Sequence, residues 1–232
     1  MIIAHRGASA YSPENTVAAI NKAFELGADG IEIDVQMSRD GELFLHHDWT
    51  LEKLGNEKSL VISKTLSQLK KLDAGKWFSS EFEGEKIPTL SEALSVVPEG
   101  KIVNIEIKKT AADSRDIESK VVRCIRDMKI ADNIIISSFN HQTISKIQKS
   151  DPDIKTALII SSLLSDPMKY FRNFTCYSIH PLFYFADPEL TKALHANNIK
   201  IYPWVVNDTV YASLLMESGC DGIITNYPDL RF

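Results

Sequence analysis

The sequence predicts an α/β protein folded as a closed (β/α)8 barrel. Three observations predict it. Short apolar runs alternate with helical patterns almost from end to end. Eight strands remain once one hairpin strand is set aside, and 232 residues suit one large domain around one core.

In chain order the strands are expected at Ile2–His5, Gly30–Gln36, Ile102–Lys108, Ile134–Ser138, Lys155–Ile160, Cys176–His180, Lys200–Val206 and Gly222–Thr225. Helical segments lie between nearly all of them. The first helix is expected from Ser12-Pro13, where a hydroxyl can cap and proline suits the first turn, to a stop at Gly27. Val17, Ile20 and Phe24 give it one apolar face. A late helix is expected from Asp208 to Gly219, with Val210 and Leu214 turned inward.

Leu43–His47 breaks the rhythm. It follows Val35 after only Ser38-Arg39-Asp40-Gly41, too short a link for a parallel crossover, so it must fold back antiparallel on the second strand. From Trp49 to Lys86 the pattern is polar and irregular, with a small helix around Leu66–Leu72. This stretch, about 49–86, reads as an insertion after the hairpin, beside the barrel mouth, with too few apolar residues for a core of its own. What remains over residues 1–232 is a single TIM-barrel domain.

Composition narrows the function. Net charge is -5 with no basic run, which gives nucleic acid no electrostatic purchase. The three cysteines, Cys124, Cys176 and Cys220, are odd in number and widely spaced, as in a reducing compartment. No apolar run approaches the roughly 18 residues of a membrane helix, so stable membrane insertion is not expected. Met1-Ile-Ile-Ala runs straight into His5-Arg6-Gly7 without a charged leader. A cytoplasmic location is the expectation, and oligomeric state has no signature.

Two strands carry charges at alternate positions, Glu32-x-Asp34 and Glu106-x-Lys108. Residues i and i+2 share a face. On a half-exposed sheet they would form a solvated face. In a parallel barrel the apolar Ile31, Ile33, Ile105 and Ile107 take the outward positions under the helices, so the charged side chains point inward. Three buried carboxylates need a cation or they protonate. An all-oxygen set suits a hard divalent ion, Mg2+ or Ca2+, over zinc; an internal salt-bridge network is the alternative. Lys108 can pair with the acids or bind a substrate phosphate.

Chemistry in such barrels sits at strand C-terminal ends. His5 and Arg6 end the first strand, and His47-Asp48 end the hairpin return. Two imidazoles flanking a phosphoryl group can serve as base and acid, and an arginine can grip phosphate oxygens. His46 alternates with His47 and should face away from it. His141, near a helix start, reads as a surface residue, His195 as structural, and His180 as core or mouth lining. Glu14 and Asn15 can support the site or only the helix start, and Asp48 suits orienting a neighbour.

At this point the residues become specific. HRGASAYSPENT (5–16), GIEIDVQMSRDGELFLHHD (30–48), IPTLSEAL (87–94), NIEIK (104–108), WVVN (204–207) and DGIITNYPD (221–229) resemble the glycerophosphodiester phosphodiesterase family, in its motif order, over nearly the whole chain. The resemblance implies Glu32, Asp34 and Glu106 as ligands of one divalent cation and His5 and His47 as the catalytic pair. It implies Arg6 and Lys108 on the phosphate, and Trp204 as an apolar wall for the glycerol carbons. It further implies metal-dependent hydrolysis of small glycerophosphodiesters to sn-glycerol 3-phosphate and an alcohol. Where many members carry an Asp-Arg-Thr run after the HD motif, this chain reads Leu51-Glu52-Lys53-Leu54-Gly55.

Three rivals share the barrel. A lysophospholipase D-like phosphodiesterase would want a larger apolar groove. A non-catalytic phosphate-ligand-binding barrel would have lost a histidine or carboxylate. An aldolase-like barrel would use Lys108 as a Schiff-base lysine, which the neighbouring Glu106 disfavours.

Overall fold

The computed structural model describes residues 1–55 and 57–232. Its strands are β1 (Ile2–His5), β2 (Gly30–Met37), β3 (Leu43–Leu45), β4 (Thr50–Leu51), β5 (Glu57–Leu60), β6 (Ile102–Ile107), β7 (Ile134–Ser138), β8 (Lys155–Ile160), β9 (Ser178–Pro181), β10 (Lys200–Ile201) and β11 (Ile223–Thr225). Its helices are α1 (Val17–Glu25), α2 (Leu66–Leu69), α3 (Leu90–Ser95), α4 (Ile117–Met128), α5 (His141–Ser150), α6 (Pro167–Phe171), α7 (Pro188–His195) and α8 (Thr209–Glu217).

Eight strands lie side by side in the order β10-β9-β8-β7-β6-β2-β1-β11, every neighbouring pair parallel. The remaining gap, from β10 to β11, is joined by backbone hydrogen bonds outside any regular ladder. Asp221 N donates to Ile201 O (3.2 Å), Ile224 N to Pro203 O (2.9 Å) and Val206 N to Ile224 O (2.9 Å). The cylinder is therefore a TIM-type barrel. The ladder of β10 ends at Ile201 rather than Val206, and Pro203, which lacks an N–H, accounts for the loss of regular pairing there. As predicted, β3 folds back antiparallel, Val35 opposite Leu45 and Met37 opposite Leu43.

Two helices depart from expectation. α1 begins at Val17, capped by the Thr16 hydroxyl, not at Ser12-Pro13. The reason is Asn15, whose backbone is left-handed (φ 57°) and whose side chain is engaged elsewhere, so no helical turn can run through it. In α8, Val210 and Leu214 face solvent, 64% and 52% exposed, while Ala212 and Leu215 are buried. The Asp208 carboxylate caps Val210 N and Tyr211 N. That cap fixes the first turn with Ala212 and Leu215, three apart, toward the barrel.

The alternation in the strands has its expected consequence. Ile31, Ile33, Ile105 and Ile107 are buried under the helices with Ile20, Ala23, Val121 and Ile125. Each such isoleucine stabilises the fold by about 2 kcal/mol. Inside the barrel, Ile3, Ile135, Ala157, Tyr202 and Ile224 fill the floor. The inserted stretch contributes Leu51, Val61, Leu69 and Ala74 to a small cluster that is completed by Phe44 of β3 and by Ile87. It is thus anchored on the barrel, with more apolar packing than its sequence suggested. No helix among the described residues is long and apolar enough to cross a membrane.

Candidate active site

A cavity of about 190 Å3 opens at the C-terminal ends of the strands. Its lining combines His5, Arg6, Glu32, His47, Asn104 and Glu106 with Phe139, Ile159, His180, Trp204 and Ile224. A larger cleft of about 360 Å3, against α6 and α7, contains none of the charged site residues, so size does not locate the chemistry here.

The β1 loop builds one wall. Arg6 adopts a left-handed backbone (φ 56°), an unfavourable state for a side-chain-bearing residue. It is held there by its N–H donating to Glu32 Oε2 (2.9 Å) and its carbonyl accepting from Asn15 N (3.0 Å). Gly7 follows because the loop lies on α1: a Cβ there would come within 2.6 Å of the Ala19 backbone. The His-Arg-Gly run is thereby explained locally.

Glu32, Asp34 and Glu106 stand on neighbouring strands, Asp34 paired in register with Glu106. One carboxylate oxygen from each lies within 4.8 Å of the others, and all three residues are buried. Lys108 Nζ is 3.0 Å from Glu106 Oε1 and 3.8 Å from Asp34 Oδ1. Arg6 Nε is 3.3 Å from Asp34 Oδ2. Two cations therefore face three anions. Burial, followed by the charges of Asp34 and Glu106, pushes Glu32 well above the ordinary carboxylate range. Burial and Asp34 together raise Glu106 to about 7. Asp34 is also buried, but Arg6, Lys108 and His47 outweigh that and hold it below its usual value. Among the described residues Asp34 Oδ1 has no hydrogen-bond partner, although it is sealed from solvent. An acidic cluster with more anions than cations, and with one carboxylate oxygen that accepts no hydrogen bond, is a set that a hard divalent ion fits. The carboxylates can hold a metal ion.

The histidines are fixed by their Nδ1 atoms. His5 Nδ1–H donates to Asn226 Oδ1 at 2.7 Å, and that oxygen also accepts from Ser9 Oγ at 3.0 Å. Nε2, the open position of the ring, is 4.0 Å from Glu32 Oε2. Burial, aided by Arg6, lowers the His5 pKa to about 4, so its imidazole is neutral. His47 Nδ1 lies 2.8 Å from Asp48 Oδ1, the orienting contact expected of Asp48.

The remaining expectations sort as follows. Trp204 lines the cavity, its Nε1 donating to His180 O (2.9 Å) and its ring set edge-on to Phe139. Asn15 supports the site directly and Glu14 pairs with Arg6 at 3.2 Å. His46 is buried away from His47, Nε2 3.2 Å from Thr50 O. His180 is cavity lining and 1% exposed, its Nε2 paired with Ser178 Oγ (2.9 Å). His141 bridges Tyr170 OH (2.7 Å) and Ile159 O (3.0 Å), so it ties α5 to α6 and β8 where a surface role was expected. His195 pairs with Asp221 on the outside (2.9 Å). Sequence reasoning missed Asn226, Asn104 and Phe139. Each sits on a barrel strand or directly follows one, and that position was the available signal.

The profile of the Glycerophosphoryl diester phosphodiesterase family matches residues 5–230. The chain belongs to that family. A glycerophosphodiester phosphodiesterase of Caldanaerobacter subterraneus subsp. tengcongensis is 40% identical over 99% of this chain and 95% of its own. One from Bacillus altitudinis is 36% identical over 98% and 95%. Among solved structures, an Oleispira antarctica phosphodiesterase in complex with the product sn-glycerol-3-phosphate superposes with a TM-score of 0.92 at 29% identity, covering 99% of this chain and 94% of that one. The glycerophosphodiester phosphodiesterase of Thermotoga maritima gives 0.79 at 28% identity over 99% and 95%. As a member of the glycerophosphodiester phosphodiesterase family, the chain is a hydrolase of glycerophosphodiesters.

Proposed function

We propose that the chain, acting as one catalytic domain, hydrolyses glycerophosphodiesters to sn-glycerol 3-phosphate and an alcohol, with one divalent ion, Mg2+ or Ca2+. Glu32, Asp34 and Glu106 would hold that ion, and His5 and His47 would move the protons. The observation that carries the reading is the convergence of three buried carboxylates within 4.8 Å of one another, two of which, Glu32 and Glu106, line one cavity with both histidines. When bound, the ion supplies Lewis-acid charge to the phosphate.

The chain's own residues do the rest. Arg6 and Lys108 present cationic donors to the phosphate oxygens and stabilise the charge that builds there. Trp204 and Phe139 offer an apolar wall to the glycerol carbons. His5, neutral and open at Nε2, takes the proton of the nucleophile, either water or the glycerol 2-hydroxyl. The P–O bond to the alcohol breaks, and His47 gives its proton to the departing alkoxide oxygen. Asp48 suits His47 to that role because its carboxylate on Nδ1 fixes the orientation of the ring. If the 2-hydroxyl attacks, the cyclic phosphate is opened by water in a second step. The three unpaired cysteines support a reducing, cytoplasmic setting.

One assay tests this reading. Purified protein is given glycerophosphocholine, glycerophosphoethanolamine and a lysophospholipid, with Mg2+ or Ca2+ and with chelator. Release of glycerol 3-phosphate that stops on chelation is the expected result. Release that survives complete chelation contradicts the ion, and cleavage of the lysophospholipid alone contradicts the substrate class.

A further inference from the structure

The inserted stretch meets the Arg6 side of the site through Lys53. Lys53 lies in the 3-10 turn Glu52–Leu54 that follows β4. Its ammonium is 3.0 Å from Glu14 Oε1 and lies over the Trp77 ring, 3.8 Å from the centroid. Trp77 is itself tied down, Nε1 donating to Ala74 O at 2.8 Å. The same Glu14 oxygen accepts from Arg6 Nη1 at 3.2 Å. One carboxylate oxygen is thus shared between a cation of the insertion and the guanidinium that lines the cavity.

We propose that Lys53 is a positioning residue for the phosphodiesterase reaction, setting through Glu14 the place of the Arg6 guanidinium at the substrate phosphate. This rests on the role given to Arg6 above. The backbone of Arg6 is already pinned at both its N–H and its carbonyl. Only the outer half of the side chain can shift, and that is the half Glu14 holds. A carboxylate facing a single cation directs its whole attraction at that cation, which here draws the guanidinium out of the cavity. Lys53 takes up part of the Glu14 charge and leaves Arg6 free to divide its donors between Asp34 and the phosphate. The Trp77 face holds the ammonium in place without competing for its hydrogen bonds. The insertion, whose described residues do not line the cavity, gains a function by this contact.

The test is a double-mutant cycle on the full chain, with kcat and KM measured for glycerophosphoethanolamine in Mg2+. Lys53→Met is expected to lower kcat/KM on the order of tenfold, as loss of a supporting contact does, with kcat falling. Lys53→Arg, which keeps charge and stacking, should recover most of that loss. In a Glu14→Gln background, Lys53→Met should cost no more than about twofold, because the path through Glu14 is already cut. Additive effects of the two substitutions, or a Lys53→Arg enzyme as impaired as Lys53→Met, overturn the proposal. If Lys53→Met does not fold, Lys53→Gln runs the same cycle. Arg6→Ala separates the premise from the inference. Unchanged activity there removes the role of Arg6, whereas a large loss alongside an additive cycle removes only that of Lys53.

Discussion

Asn15 grips Asp34 twice: its Nδ2 donates to the Asp34 carboxylate at 2.8 Å and its Oδ1 accepts the Asp34 backbone N–H at 2.9 Å. One amide therefore fixes both the strand and the carboxylate at the centre of the acidic cluster. Asn15→Ala leaves the buried Asp34 N–H unpaired and leaves Asp34 Oδ2 only its ion pair with Arg6. It is expected to lower stability by about 1–3 kcal/mol and divalent-ion affinity by roughly 10–100-fold. Denaturant unfolding and ion titration check the two effects separately. Unchanged ion affinity would show that Asn15 only shapes the helix start.

The two histidines are expected to separate by leaving group. With glycerophosphoethanolamine, His5→Ala and His47→Ala should each lower kcat by at least about 100-fold. With a p-nitrophenyl phosphodiester, whose leaving group needs no proton, the loss in His47→Ala should shrink while that in His5→Ala persists. A loss that shrinks in His5→Ala instead reverses the assignment of acid and base.

His180 predicts a pH dependence of stability. Burial drives its pKa down to about 3, so the folded chain keeps it neutral while the unfolded chain protonates it near 6.5. Below pH 6.5 the unfolded state binds the extra proton, and stability falls as the pH is lowered toward 3. Between pH 7 and pH 5 this one residue should cost about 2 kcal/mol, at no more than about 1.4 kcal/mol per pH unit. Urea unfolding of His180→Gln in chelator should show a shallower acid limb than the parent by that amount. Parallel limbs would mean that His180 titrates normally in the fold.

On α8, Leu215→Ala is expected to cost about 2–4 kcal/mol, since it empties a buried position, while Val210→Ser and Leu214→Ser should stay within about 0.5 kcal/mol. Thermal unfolding decides it. The opposite ranking would restore the inward face that the sequence pattern suggested.

That helix shows where sequence reasoning stops. Apolar residues occupy both faces of α8, and only the cap at Asp208 together with the barrel wall selects which face is buried. In α1 the hydroxyl–proline pair at Ser12-Pro13 looked like a start, but Asn15 is committed to Asp34 and delays the helix to Val17. The acidic cluster was legible because a two-residue strand repeat puts Glu32 and Asp34 on one face, and a parallel barrel leaves that face only the interior. His5 was legible as the last residue of β1; His47 was expected to end its strand, but β3 stops at Leu45 and His47 lies two residues beyond it. Asn226 was not legible, since its bond to His5 spans 221 positions and exists only because β11 closes beside β1. Trp204 came from the family resemblance alone; an isolated tryptophan near a strand end carries no periodic signal.

The sharing of one divalent ion by Glu32, Asp34 and Glu106 is tested most directly by calorimetric titration of chelator-stripped protein with Mg2+ and Ca2+. The expected result is a single site per chain in the parent, weakened severely in each of Glu32→Gln, Asp34→Asn and Glu106→Gln, with the fold intact. Undiminished binding in all three variants, or no binding in the parent, would contradict it.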